Sequence, residues 1–321
     1  MEYRYVSLDE VRRLPEQLAT LSNAAFAEYE GAPEVDAEFV SWYLRRPGSG
    51  PAVCVGALWG DELVACVLVA LQALNLGGEF VRCGIIDTVA THPAHRRRGL
   101  ARRLMELAHG RIGENAGEAA VLYTNPENHP YLFYGRLGYV TRARAALLTG
   151  VRPGKAQQYT VRTMGPAEQD VVRELVNGRY GNYEGFALLD EALWDWHRLH
   201  RPSGLPVTVA VAERGGEIVG TAALAVCEVL LGGQRRRLCF ASDLVYPDLG
   251  CLQDLLALAP ASDLAALYDT RAAQSADLQA LGFESQLGEV SMVLPFTSRT
   301  EVLLRRDAGP WYVMVESVVG V

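Results

Sequence analysis

No run of apolar residues in this chain approaches the roughly 20 needed to cross a bilayer. Its opening, Met1-Glu2-Tyr3-Arg4-Tyr5, also lacks the charged-then-apolar pattern of an export signal. A cytoplasmic protein without membrane attachment is the expectation. Cys-x-x-Cys is missing too. The six cysteines (Cys54, Cys66, Cys83, Cys227, Cys239, Cys251) sit mostly in apolar, strand-like stretches, so neither a disulfide framework nor a zinc site is supported and buried free thiols are expected. His92, His95 and His129 have no metal-site spacing, and no metal is expected. An excess of positive charge is lacking as well. With 30 Lys and Arg against 38 Asp and Glu, the formal charge of −8 argues against nucleic acid as a partner and leans toward cationic partners such as amines.

What is present suits an ordinary soluble globular protein. The length of 321 residues fits two domains of roughly 150 residues each, and the sequence is in fact written twice. Trp59-Gly60-Asp61-Glu62-Leu63-Val64-Ala65 matches Arg214-Gly215-Gly216-Glu217-Ile218-Val219-Gly220, 155 residues later, and both read as strand, tight turn, strand. Leu76-Gly77-Gly78 and Leu231-Gly232-Gly233 share that offset, while Asp36, Trp42 and Pro47 pair with Asp190, Trp196 and Pro202 at 154 or 155. Leu137-Gly138-Tyr139 pairs with Leu281-Gly282-Phe283 at only 144. The second copy has therefore lost about ten residues, and the loss falls on the arginine-rich segment after Val89.

Periodicity predicts strands near Tyr3–Ser7, Val53–Leu58, Leu63–Leu71, Phe80–Thr91 and Ala119–Thr124, with an amphipathic helix from Gly99 to about Gly113. The second copy opens on a strand near Gln158–Arg162. A mixed α/β fold follows, with helices packed on a sheet. The boundary is expected at Gly150-Val151-Arg152-Pro153-Gly154, giving domains 1–150 and 151–321. Two further strand-like runs, Glu301–Arg306 and Trp311–Val319, stand outside the repeat and are expected to extend a sheet or brace the halves.

The chemistry concentrates where a strand ending at Thr91 passes through Pro93 into Arg96-Arg97-Arg98-Gly99-Leu100-Ala101 and then a helix. The first turn of a helix has unpaired N–H groups and a partial positive charge, which together suit a phosphate. Gly99 permits close backbone approach, and Ala101 leaves room. Cations there oppose the helix dipole, so stability alone would have placed Asp or Glu in that turn.

Arg96-x-x-Gly99-x-Ala101 resembles the acetyl-CoA pyrophosphate loop of the GNAT N-acetyltransferases, and Leu132-Phe133-Tyr134-Gly135-Arg136-Leu137-Gly138-Tyr139 is similar to that family's Phe-Tyr-x-x-Leu-Gly-Phe segment. The resemblance implies two tandem GNAT-like domains, each a mixed, mostly antiparallel sheet flanked by helices, with the second copy degenerate. It implies acetyl-CoA as co-substrate. The main chain of Val89, Ala90 and Thr91 would pair with the pantetheine arm, and the N–H groups from Arg97 to Arg102, through Arg98, Gly99, Leu100 and Ala101, would hold the diphosphate. Tyr134 would protonate the departing thiolate, and Asp87, four residues before Thr91 and on its strand face by period-two alternation, would accept the amine proton. Asn128 stands one step from the position where the family often has an asparagine touching CoA; Asn125 is also near. The acceptor is expected to be a primary amine on a small molecule or peptide. A second reading is a non-catalytic, CoA-binding regulatory or sensor protein. In the second half the counterpart of Tyr134 falls at Asp277–Leu278, so no second general acid is expected.

Overall fold

The repeat predicts two copies of one scaffold, and a computed structural model, which describes residues 2–29, 34–231, 234–306 and 309–314, shows how they are joined. The first half contains β1 (Arg4–Ser7), α1 (Leu14–Phe26), α2 (Ala37–Leu44), β2 (Val55–Trp59), β3 (Glu62–Leu76), β4 (Glu79–Thr91), α3 (Leu100–Glu114), β5 (Ala119–Thr124), α4 (His129–Arg136) and β6 (Val140–Val151). The second contains β7 (Thr160–Thr163), α5 (Gln169–Tyr180), α6 (Glu191–Trp194), β8 (Val207–Arg214), β9 (Glu217–Leu231), β10 (Gln234–Val245), α7 (Leu249–Leu256), β11 (Asp263–Asp269), α8 (Ala273–Ala280), β12 (Glu284–Pro295) and α9 (Ser298–Leu303).

All twelve strands form one sheet in the order β1-β2-β3-β4-β5-β12-β6-β11-β10-β9-β8-β7. Read from either edge, the pattern is the same, with one exchange at the centre. The final strand of each half completes the sheet of the other: β12 pairs antiparallel with β5 (Val290 opposite Thr124, Pro295 opposite Ala119), and β6 pairs with β11 (Val151 opposite Asp263). Only β4–β5 and β10–β11 are parallel, each joined by a helical crossover through α3 or α7.

The repeated residues mark the equivalent positions. Asp36 and Asp190 each cap a helix, accepting from the N–H of Phe39 and Leu193 at 2.8 Å. Gly60 and Gly215 both turn their hairpins at φ 65°, a left-handed conformation that costs glycine little. Trp42 and Trp196 stack face to face, ring centroids 4.6 Å apart and 7° from parallel, and each indole N–H donates to the other's carbonyl, at 3.3 and 3.0 Å. Arg46 and Arg201 lie over the far residue's ring, 5.3 and 4.3 Å from its centroid. Gly232 and Gly233 of the repeat lie outside the described residues.

Helix α3 packs its 3.6-residue stripe, Leu100, Leu104, Met105, Ala108 and Ile112, fully against the sheet. At about 1.5–3 kcal/mol for each large side chain buried, this stripe fixes the helix in place. Gly84 in β4 makes the approach possible, since a Cβ there would meet Ile112 at 2.3 Å. On the opposite face α1, α2, α5 and α6 share one apolar core that continues across both halves. Among the described residues no helix is long and apolar enough to cross a membrane, and all six cysteines are buried thiols.

One expectation needs correction. Glu301–Arg306 is not a strand: α9 covers Ser298–Leu303, capped by Thr297, whose side chain accepts from the Thr300 N–H at 3.2 Å. Of Trp311–Val319, only residues 311–314 are described. They form a single bridge, Trp311 with Glu184, and run between the halves, where Tyr312 donates to Asp243 at 2.6 Å.

Candidate active site

Strands β4 and β5 pair only over Cys83–Ile85 and Ala119–Val121. Beyond Ile85 they part, and the edge of β4 from Ile86 to Thr91 has no strand beside it there among the described residues. A bulge accompanies the parting. Cys66 faces Ala90 and Leu68 faces Asp87, so β4 has one extra residue, and Thr88 takes up a positive φ of 43°. Val89, Ala90 and Thr91 thus offer an open main-chain edge suited to an extended ligand.

Past Thr91 the chain turns through Pro93–His95 into α3, with Arg97 at φ 60° and Gly99 at φ 77°. Gly99 is the N-cap, no side chain caps the helix, and no acidic residue lies in its first turn. Alternating left-handed residues ahead of an uncapped helix direct successive N–H groups into one concavity, an anion-binding arrangement. The Arg96 and Arg98 side chains brace the loop instead of facing the concavity. Arg96 donates to the Ala25 carbonyl at 2.8 Å and lies 3.5 Å from Glu28, while Arg98 donates to the Tyr3 hydroxyl at 3.0 Å, itself 3.0 Å from His95 Nδ1. Arg97 and Arg102 are exposed and form no ion pair with the described residues, so they remain available to a polyanion.

The second half supplies the contrast. Asp248 caps α7, accepting from the Cys251 N–H at 2.9 Å, so a carboxylate already occupies the place of an incoming anion. On β10, beside the matching bulge at Asp243 (φ 52°), the Leu244 N–H donates to Tyr268 at 3.2 Å and the Leu244 carbonyl accepts from Tyr180 at 2.9 Å. Side chains thereby satisfy main-chain groups at the equivalent edge. Leu278 is fully buried, and Asp277 accepts from Tyr246 at 2.7 Å.

Tyr134 sits on α4, its ring packed in the α3-side core against Phe133 and Tyr139. Its hydroxyl has no hydrogen bond to the described residues. Burial first, then the charges of Tyr29 and Glu289, push its pKa well above the usual 10, so the hydroxyl keeps its proton throughout the physiological range. Asn128 is the N-cap of α4 with its side chain uncommitted among the described residues, whereas Asn125 accepts from the Glu127 N–H at 2.9 Å.

Asp87 differs from its expectation. The extra residue at the bulge breaks the two-residue alternation, so Asp87 faces the α2 side while Val89 packs toward α3. There its carboxylate accepts from the Tyr43 hydroxyl at 2.6 Å and from Arg46 at 3.1 Å, all three buried. Asp243 repeats the arrangement with Arg198 and Tyr312, at 2.5 and 2.6 Å. A buried ion pair that recurs where no coenzyme loop exists is an element of the scaffold.

Two residues near Tyr134 escaped the sequence reading, Tyr29 and Glu289. Tyr29 also lines a cleft of about 770 Å³ between α1–α2 and β9–β10, whose wall includes Phe39, Leu205 and Arg237. Among the described residues no group of three or more His, Cys, Asp or Glu is placed to hold a metal.

Residues 2–141 match the family model described as an acetyltransferase (GNAT) domain. Over 188 residues the chain is 29% identical to the N-acetyltransferase Eis of Mycobacterium bovis and of Mycobacterium tuberculosis, a match that takes in 54% of this chain and 45% of theirs. The match therefore spans about half the length of those relatives. The fold resembles Saccharomyces cerevisiae N-myristoyltransferase with bound myristoyl-CoA (TM-score 0.71, 15% identity, 91% of this chain and 82% of that one). It also resembles a GCN5-related N-acetyltransferase from Anabaena variabilis (TM-score 0.67, 13% identity, 93% and 74%). A coenzyme-type loop, a splayed parallel strand pair and a family model matched over residues 2–141 together make the first half similar to GNAT acetyltransferase domains, and the second half repeats its strand order.

Proposed function

We propose that the chain transfers an acetyl group from acetyl-CoA to a primary amine of a small molecule or peptide, by direct attack while both are bound. One observation carries this reading: an uncapped, cation-flanked helix N-terminus lies beside an open strand edge, with a proton-bearing tyrosine nearby that has no hydrogen bond to the described residues. The names of the curated relatives support acetyl as the group moved.

Bound acetyl-CoA supplies an activated thioester carbonyl. The N–H groups from Arg97 to Arg102 hold the diphosphate, Arg97 and Arg102 add charge, and the β4 edge at Val89–Thr91 aligns the pantetheine arm. Asn128 is placed to bond the same arm. Tyr134 gives its proton to the sulfur as the C–S bond breaks, a role for which a high pKa ensures occupancy. The acceptor enters along the cleft that Tyr29 borders. Because Asp248 and the Tyr180–Tyr268 pair fill the second copy's equivalent places, one coenzyme binds per chain.

Calorimetric titration with CoA, followed by thiol release from acetyl-CoA in the presence of polyamines, aminoglycosides, amino acids and peptides, tests the reading. Saturable binding at one site and amine-dependent thiol release are expected. Binding without release from any amine would favour the sensor reading. Tyr134→Phe should lower turnover about 100-fold with CoA affinity unchanged; full turnover in that variant would remove Tyr134 from the chemistry.

A further inference from the structure

The strand exchange places Glu289 one residue from the Val290–Thr124 pair at the end of β5. On β12, Leu287 faces Ala146 and Val290 faces Arg144, so three steps on one strand oppose two on the other and the bulge falls at Gly288-Glu289. Gly288 fits because the space is tight: a Cβ there would lie 3.1 Å from the Leu147 nitrogen and 3.2 Å from Leu267. A bulge re-aims the side chain that follows it. The next residue, Val290, pairs with Thr124 at the end of β5, where β5 has already left β4 and the chain proceeds to α4 and Tyr134. Val290 and Tyr134 share one core cluster.

Glu289 is half-buried and forms no hydrogen bond or ion pair with any described residue. The titratable and charged groups on neighbouring elements include Tyr123 on β5, His129, Tyr131, Tyr134 and Arg136 on α4, Arg142 and Arg144 on β6, Arg299 and Glu301 on α9, and Tyr29 after α1. Arg142 is taken by Glu184, Arg144 is exposed, and Tyr123 accepts from the Trp311 indole at 2.9 Å. Burial alone pushes the Glu289 carboxyl up to about 7, and its charge reaches Tyr134. A lone carboxyl in that setting costs stability, which points to use.

We propose that Glu289 is the proton acceptor of the transfer reaction, taking the proton that the acceptor amine loses on attack; this rests on the transferase reading above. The neutral amine nitrogen forms the bond to the thioester carbonyl carbon and the C–S bond breaks. Glu289 takes one proton from that nitrogen, and Tyr134 gives one to the sulfur. A water then returns the proton from Glu289 to the Tyr134 oxygen, which restores both groups. An amine arriving protonated releases its additional proton to solvent first. The acid and the base thus come from different halves of the chain, Tyr134 from the first and Glu289 from the second.

The test compares wild type, Glu289→Gln and Glu289→Asp, using the amine from the panel that gives the fastest thiol release. Carboxyl carbon-13 NMR of the wild type should show one glutamate titrating near pH 7, absent in Glu289→Gln. The glutamine variant should lose about 100-fold in kcat/KM together with the acid limb of its pH profile, while CoA affinity and the thermal melt at pH 4.5 persist. Glu289→Asp should recover part of the rate. Full activity with the acid limb intact in Glu289→Gln, or no glutamate titrating above pH 6, overturns the proposal and leaves the transferase reading standing. A wild type that binds no CoA defeats both.

Discussion

Replacing Glu289 with glutamine should make the protein more stable, by an amount that grows from about pH 4.5 and levels off above about pH 7. Burial raises the folded carboxyl from the usual 4.5 to about 7, so the folded state holds its proton to higher pH than the unfolded chain does. The stability contributed by this group is complete below about pH 4.5 and is lost as pH climbs through about 7. At about 1.4 kcal/mol per pH unit of separation the full loss is about 3 kcal/mol, and screening at a partly exposed carboxylate trims it to about 2–3. Guanidinium unfolding of both proteins at pH 4.5 and pH 8.5 isolates the effect, because every other titrating group cancels in the difference. Little difference is expected at pH 4.5. At pH 8.5 the glutamine variant should gain about 2–3 kcal/mol, or roughly 5 °C in a melt for a chain of this size. The same difference at both pH values would refute a carboxyl perturbed by burial.

The remaining predictions concern the loop, its lost counterpart and the centre of the molecule. Gly99→Ala places a Cβ in open space but at φ 77°, so it should cost about 1–2 kcal/mol and weaken CoA binding several-fold by calorimetry. Asp248→Ala removes the cap of α7 and should lower stability by about 1 kcal/mol in urea unfolding, with CoA affinity unchanged. Trp196→Ala removes the partner of Trp42 and should cost about 3–5 kcal/mol, visible as a lower unfolding midpoint with the CoA site retained at low temperature.

Local pattern was legible where local physics decides. The limits of β5 agree with the sequence reading, and α3 begins and ends within one residue of it, because an apolar period and a glycine cap act at short range. The repeat likewise anticipated equivalent places for Asp36 and Asp190, and for Trp42 and Trp196. What failed depended on one residue out of step. The bulge at Thr88 turned Asp87 to the other face, which no periodicity argument can foresee. Glu301–Arg306 looked like a strand by composition, yet Thr297 and Thr300 cap one another and hold Glu118, with Thr300 donating to its carbonyl at 3.0 Å. That Thr-x-x-Thr spacing was the available signal. Glu289 was invisible for a different reason: the repeat aligns β12 with β6, and nothing in either strand announces that they change places.

The exchange of those two strands sets an order on synthesis. While residues 1–150 emerge from the ribosome, β5 must wait with one edge bare, since the strand that covers it is made about 170 residues later. The sheet of the first half is therefore finished only when β12 of the second half has been translated. A nascent chain halted midway would expose an adhesive strand edge, so duplication has tied completion of the first copy's sheet to the arrival of the second copy's last strand.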